Sequence, residues 1–276
     1  MPGAPGGRGS PGRRPPALKR FGQHFLSDKG ILTAIVDALG PAASDTVVEV
    51  GPGRGSLTDI LASRSGRLVA VEIDRALAAQ LRSKYAGRPN VEIVEGDFLE
   101  SDPATLAGAD YLLIGNVPYY ITTPIVFKAL ESPIPRRSVF LVQREVADRM
   151  AAEAGSDEYG ALSVNVGVVA DVERVLSVPA SAFSPPPKVD SAVVRLTPRA
   201  EPLVPPESLK PFRAFVQAAF GQRRKQMQRV LRGVRGLSAE EAGAVLEASG
   251  IEPSARPEVV SPAQFATLFE QIRGSA

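Results

Sequence analysis

The chain has 276 residues, 44% of them hydrophobic, and its 32 basic and 30 acidic side chains leave a net charge of only +2. That length supports one large core or two modest ones, and so even a charge balance says little about partners. With no cysteine and a single histidine, His24, the composition disfavours a disulfide framework, a thiol nucleophile and a zinc site, and no stretch approaches the ~18 consecutive apolar residues of a membrane span. No signal-like apolar core opens the chain, so the expected setting is cytoplasmic, away from membranes.

Residues 1–17 are dominated by Pro and Gly with Arg8, Arg13 and Arg14. Such a segment cannot bury enough apolar surface to offset ordering its backbone, so a disordered basic tail is expected, either dispensable or grazing RNA. The lead-in Lys19-Arg20-Phe21-Gly22-Gln23-His24-Phe25-Leu26 mixes polar and aromatic groups. Ser27-Asp28 then offers an N-cap for a helix through Leu39, with Ile31, Ile35, Ala38 and Leu39 on one face. A lone histidine such as His24 is ordinarily a surface residue or a satisfied core residue.

Thr46-Val47-Val48-Glu49-Val50 reads as a buried strand running into Gly51-Pro52-Gly53-Arg54-Gly55 and a helix from Ser56 to about Ala62. Glycines let a backbone approach a ligand closely, and a helix start offers free N–H groups. The glycines fall at the first, third and fifth positions of the turn, whereas a dinucleotide fingerprint needs the first, third and sixth; a dehydrogenase is therefore the weakest enzyme reading. The next strand, Arg67 to Val71, ends in Glu72-Ile73-Asp74, about 20 residues on, where a carboxylate can accept from both hydroxyls of a ribose. A helix from Arg75 to about Tyr85 leads to a third strand, Val91 to Glu95, ending in Gly96-Asp97-Phe98. Asp97 can accept from an adenine amine while Ile73 and Phe98 present apolar faces to the ring.

A fourth strand, Tyr111 to Gly115, delivers Asn116-Val117-Pro118-Tyr119 to the same sheet edge. Pro118 removes a donor and biases Val117 away from helix, so the chain must leave the sheet and show its carbonyls. Taken alone such a turn is commonly no more than a loop. Four strand ends at one edge favour a ligand site, because open α/β sheets bind ligands at their carboxyl ends. A helix near Pro124 to Leu130, a strand Ser138 to Gln143 and a helix Arg144 to about Ala152 continue the alternation. Leu162 to Val169 and Val189 to Leu196 are the last expected strands, separated by the stiff Phe183-Ser184-Pro185-Pro186-Pro187-Lys188 connector. From Arg199 to Arg235 there are nine basic residues against two acidic ones, Glu201 and Glu207. Phe220 precedes the cluster Gln222-Arg223-Arg224-Lys225, and helices at about Ala239 to Ala248 and Pro262 to Ile272 close a small helical domain whose charge suits phosphate contacts.

Seven motifs taken in order carry a resemblance: Phe21 to Leu26, Val50 to Gly55, Glu72-Ile73-Asp74, Gly96-Asp97-Phe98, Asn116 to Tyr119, Phe183 to Ser191, and Phe220 to Lys225. From about Lys19 to its end the chain resembles the small-subunit ribosomal RNA adenine N6-dimethyltransferase family. The resemblance implies a Rossmann-like S-adenosylmethionine-dependent methyltransferase fold: a mostly parallel seven-stranded α/β sheet whose last strand is antiparallel, with a small C-terminal α-helical domain. It divides the chain into a tail (1–17), a catalytic domain (18–198) and an RNA-binding domain (199–276). It implies S-adenosyl-L-methionine as cofactor, S-adenosyl-L-homocysteine as product, no metal, and small-subunit rRNA within an immature 30S subunit as partner to a monomeric enzyme. Cofactor contacts fall to Gln23, His24, Leu26, Gly51, Gly53, Glu72, Ile73, Asp97, Phe98 and Asn116. Many relatives have Asn in place of His24 and Leu in place of Val117. Asn116 and the Val117 carbonyl are expected to accept the two N–H bonds of the adenine amine, Tyr119 and Phe183 to sandwich the base, and Arg223, Arg224 and Lys225 to hold RNA phosphates. Two alternatives share these motifs: a large-subunit rRNA adenine methylase, and an RNA-binding protein that kept the fold without the chemistry.

Overall fold

The computed structural model describes residues 24–274; the expected tail and the predicted cofactor contact Gln23 lie outside them. In chain order the strands and helices are β1 (Phe25–Leu26), α1 (Lys29–Leu39), β2 (Thr46–Val50), α2 (Ser56–Arg64), β3 (Arg67–Glu72), α3 (Arg75–Tyr85) and β4 (Val91–Glu95). Then follow α4 (Pro103–Ala107), β5 (Leu112–Asn116), α5 (Thr122–Ala129), β6 (Arg137–Gln143), α6 (Arg144–Ala151), α7 (Ala161–Gly167) and β7 (Ala170–Val178). The rest comprises β8 (Phe183–Ser184), β9 (Ser191–Pro198), α8 (Leu209–Phe220), α9 (Met227–Arg235), α10 (Ala239–Ala248) and α11 (Pro262–Gly274).

Seven strands form one sheet in the order β4-β3-β2-β5-β6-β9-β7. The first five run parallel, and β9, last in the chain, runs antiparallel to both its neighbours. Side chains alternate across the central strands, as a period of two requires. Val47, Leu112, Ile114, Val139, Leu141 and Val193 join α1 and α2 in one core. Val48, Leu113, Phe140, Val142 and Val194 join α5, α6, α7 and the C-terminal helices in the other. Because both faces are covered, these strands read as near-continuous apolar runs.

Local signals explain the helix starts. Asp28, the expected cap, accepts from the Ile31 N–H at 3.0 Å; Asp74 caps α3 and Asp102 caps α4 in the same manner. Such caps satisfy backbone donors that the first helical turn leaves open.

One predicted strand is corrected. Leu162 to Val169 is largely the helix α7, and the strand lies immediately after it, in β7. Apolar residues at 162, 164, 166 and 168 mimic a strand, but the segment is enclosed on several sides: Leu162 to Val166 are all buried, and α7 packs against α6, α8 and α11. A helix without a polar face gives no amphipathic period to read. Through α7 and Tyr159 the core runs continuously into the C-terminal helices. The Tyr159 ring is fully buried beside Phe220, and its hydroxyl donates to the Val260 carbonyl at 2.7 Å.

Candidate active site

The parallel register brings the strand ends to one level, with Val50 paired to Val71 on one side and Gly115 on the other. Beyond them lies an open cleft with about 1090 Å³ of atom-free space, solvent at its mouth included. Its lining holds Gly51, Gly53, Glu72, Ile73, Asp97, Phe98, Asn116, Val117 and Tyr119, together with His24 and Leu26. Thus the residues expected from four separate strand ends and the N-terminal lead-in do converge.

In the glycine turn Gly51, Gly53 and Gly55 all have positive φ, at 67°, 58° and 81°, a region L side chains seldom enter. The Gly53 N–H donates to Glu72 Oε2 at 2.9 Å, and the Asp74 N–H donates to Oε1 at 2.9 Å. Glu72 is thereby braced between the turn and its own strand end at 3% exposure. Burial raises its carboxyl above the usual range, against the lowering effect of these two N–H groups. At the end of β4, Asp97 Oδ1 accepts from the Leu99 N–H at 2.9 Å, which orients the carboxylate. Of the apolar residues lining the cleft, Ile73 is 48% exposed and Phe98 is buried, an apolar pair suited to a flat ring.

The exit of β5 is tightly packed. A Cβ on Gly115 would lie 3.0 Å from both the Val50 carbonyl oxygen and Val117 Cγ1, so any larger residue would push β5 away from β2 here. Val117 turns its side chain into the core at 1% exposure. The Pro118 carbonyl is taken by the Ile121 N–H at 3.1 Å and the Thr122 hydroxyl at 3.3 Å. Among the described residues no turn or loop hydrogen bond occupies the Val117 carbonyl. Asn116 Nδ2 donates to the His24 carbonyl at 3.3 Å, an assignment that leaves Oδ1 as the acceptor. Tyr119 is held by a 2.7 Å hydrogen bond between its hydroxyl and Ser191 Oγ.

The facing ring is not the expected one. Phe183 is 4% exposed, pairs with Leu26 through the β1–β8 ribbon, and packs in the core with α1 and α2; it does not line the cleft. The ring stacked on Tyr119 belongs to His24, with centroids 5.8 Å apart and planes inclined by 22°. His24 Nδ1 lies 2.9 Å from the Pro185 carbonyl, so the Pro-rich connector orients the imidazole, while Ser191 at the start of β9 holds the tyrosine. The N-terminal lead-in is further anchored by the Arg54 guanidinium, 4.0 Å from the centre of the Phe25 ring, a cation–π contact.

Two contributors escaped sequence reasoning. Ser191 belongs to a recognised motif, but only folding shows which ring it holds. Glu49 is buried at the cleft floor at 1% exposure, where the Thr58 hydroxyl donates to its Oε2 at 2.7 Å. The available signal was a single carboxylate inside an otherwise largely apolar strand, two residues before the glycine turn begins.

Outside the cleft, Arg223, Arg224 and Lys225 are exposed in the turn between α8 and α9. Arg223 is partly committed within the protein, pairing with Glu258 at 2.9 Å and donating to the Asp157 carbonyl at 3.4 Å. Among the described residues no cluster of three or more His, Cys, Asp or Glu forms a metal-binding group, and no helix is long and apolar enough to cross a membrane.

Comparison with known proteins places these observations in a family. The family described as "Ribosomal RNA adenine dimethylase" matches residues 17–273. The chain is 42% identical over 258 residues to "Ribosomal RNA small subunit methyltransferase A" of Methylococcus capsulatus, covering 92% of this chain and 97% of the relative. It is 43% identical over 257 residues to the protein of the same name from Bordetella avium, covering 93% and 95%. Among solved structures, a dimethyladenosine transferase from Plasmodium falciparum superposes with a TM-score of 0.76 at 26% identity, covering 91% of this chain and 98% of that one. The 23S rRNA methyltransferase ErmE superposes with a TM-score of 0.71 at 32% identity, covering 90% and 99%. With its Rossmann-like methyltransferase sheet, converging strand-end motifs and matches over nearly its whole length, the chain belongs to the ribosomal RNA adenine dimethylase family.

Proposed function

We propose that this chain dimethylates the N6 amines of two adjacent adenosines near the 3′ end of small-subunit (16S) ribosomal RNA, with S-adenosyl-L-methionine as methyl donor and S-adenosyl-L-homocysteine as product. The observation that carries the reading is the pair of acceptors at the end of β5, Asn116 Oδ1 and the Val117 carbonyl, in one cleft with Glu72 and Asp97. The donor set suits an adenosine: Glu72 for the ribose hydroxyls, Asp97 for the adenine amine, Ile73 and Phe98 for the ring faces, and Gly51 and Gly53 for the methionine side. Leu26 and His24 of the N-terminal lead-in close over it. When bound, the cofactor supplies an electrophilic methyl group on a sulfonium.

The chain's own residues then solve a problem of nucleophilicity. The N6 lone pair of adenine is delocalised into the ring, so a site gains by favouring the pyramidal nitrogen of the transition state. Accepting one N–H at Asn116 and the other at Val117 does this without a strong base. Holding the nitrogen about 3–3.5 Å from the methyl carbon supplies orientation. Tyr119, fixed by Ser191 and flanked by His24, offers a stacking face to a base splayed out of its helix, worth about 1–3 kcal/mol. The second transfer needs the monomethylated amine to rotate and present its remaining proton. Arg224 and Lys225, together with that part of Arg223 not held by Glu258, would meet the RNA backbone from the C-terminal helical part (199–276). A monomer working in the cytoplasm on an immature 30S subunit fits this division of labour.

The large-subunit reading is supported by the likeness to ErmE, but at lower identity than the small-subunit relatives. Labelled methyl transfer to immature small and large ribosomal subunits, with nucleoside analysis, tests the choice. The expected product is N6-dimethyladenosine in the small-subunit RNA alone; label confined to large-subunit RNA would overturn the target assignment.

A further inference from the structure

Of the five tyrosines, four have their hydroxyls held. Tyr85 donates to Asp59, Tyr111 to the Pro133 carbonyl and Tyr159 to the Val260 carbonyl, while Tyr119 meets Ser191. Three of these four are buried and Tyr119 is half-buried. Tyr120 is the exception. It is 61% exposed in the short 3₁₀ turn Tyr119–Ile121, and its side chain has neither a hydrogen bond nor a ring contact among the described residues. A single exposed apolar residue is ordinary on a protein surface. Tyr120, however, contributes to the lining of the cleft, directly after the ring assigned to the target base.

The two target adenosines are adjacent, so whenever one base is inside the cleft a neighbouring nucleotide waits at its mouth. Tyr119 cannot serve both. The His24 imidazole covers one of its faces and Ser191 fixes its hydroxyl, which leaves a single face in a set orientation. An uncommitted aromatic ring beside it suits a base better than a phosphate, since every base presents a π-face. We propose that Tyr120 is the platform for the nucleotide next to the one being methylated: its exposed ring stacks on that neighbouring base and holds the strand in register while Tyr119 keeps the target base inside. This rests on reading the cleft as the site of an adenine amine of small-subunit RNA. The contact makes no use of the phenolic hydroxyl, so any aromatic side chain should preserve it. It acts on the affinity for RNA and leaves that for the methyl donor unaltered.

Steady-state methyl transfer to immature small ribosomal subunits tests this, with Tyr120→Ala, Tyr120→Leu and Tyr120→Phe set beside the wild-type chain. Cofactor affinity is measured on each by equilibrium titration, and folding by thermal midpoint. Tyr120→Ala and Tyr120→Leu should raise KM for the subunit about 5- to 20-fold, the lower part of the range for losing one stacked base, because the ring is open to solvent. Their kcat should change by less than about threefold, as for loss of binding that ground and transition states share. Tyr120→Phe should stay within about twofold of wild type in both constants. An unaltered KM in Tyr120→Ala, an equal loss in Tyr120→Phe, an effect on kcat alone, or a matching loss of cofactor affinity would overturn the proposal alone. Absence of transfer to small subunits by the wild type would overturn the target reading together with it. Should Tyr120→Ala fail to fold, Tyr120→Leu, which keeps apolar bulk without a π-face, decides by the same criteria.

Discussion

The cleft at the ends of β2 to β5 and the turn at 222–225 both carry family motifs, yet the fold treats them in opposite ways. In the cleft the polar groups are enclosed and each is held by a named partner: Glu72 by two N–H groups, Asn116 by a carbonyl, Tyr119 by a serine. In the turn the basic groups are exposed, and Arg223 is shared with Glu258. Enclosed groups act through position, so small displacements remove their effect. Exposed cations act through summed charge, so each substitution has a graded and salt-dependent effect.

Substitutions should separate the two regimes. The largest effect is expected for Asn116→Ala, which should lower kcat by about 10²–10³-fold, the scale for loss of a transition-state hydrogen-bond partner, while cofactor binding stays measurable. Undiminished turnover would refute its role. Glu72→Ala should weaken S-adenosylmethionine binding by about 10–100-fold in equilibrium titration, the range for losing hydrogen bonds to a charged acceptor. Replacing Arg224 and Lys225 together with Gln should lower the slope of log affinity against log salt by about 1.5, at the value for single strands, with kcat little changed. An unaltered slope would make that turn ordinary surface charge. Arg223→Gln should in addition reduce stability by less than about 1 kcal/mol, because its pair with Glu258 is largely solvated. The smallest effect on catalysis belongs to Val117→Leu, since its carbonyl is the useful group; kcat/KM should change little, while the added methylene at this buried position should cost about 1–3 kcal/mol of stability.

The pH dependence of stability offers a further contrast within the cleft. Glu49 has its folded pKa raised from 4.5 to about 8, so its neutral form stabilises the fold fully below 4.5. That contribution is lost as pH rises through the folded value. Thermal midpoints of the wild type without added cofactor should therefore fall more between about pH 5 and 8 than those of Glu49→Gln. Parallel curves would show that the carboxyl ionises without strain.

Much of the fold was legible because the central strands are largely apolar and end beside glycine or carboxylate residues, a local signal of where a buried strand meets solvent. The glycine turn, Glu72, Asp97 and Asn116 were readable for that reason. The strand expected at Leu162 to Val169 failed because α7 is enclosed by α6, α8 and α11, and tertiary contact overrode an alternating pattern. Phe183 was misplaced opposite Tyr119 because an aromatic residue beside a proline run gives no indication of which face of the β1–β8 ribbon it occupies. His24, the ring that does stack on Tyr119, lies 95 residues earlier in the chain, beyond any local periodicity. The division of Arg223 between protein and solvent depends on Glu258, which likewise only folding brings near.

The central claim is that two hydrogen-bond acceptors, Asn116 Oδ1 and the Val117 carbonyl, activate the adenine amine without a proton-abstracting side chain. Single-turnover methyl transfer at saturating cofactor and RNA, followed from about pH 6 to pH 9, tests it most directly. A rate nearly independent of pH in the wild type, with a uniformly depressed and equally flat profile in Asn116→Ala, is the expected result. A rate that falls tenfold per unit toward low pH, revealing an essential base, would contradict the account.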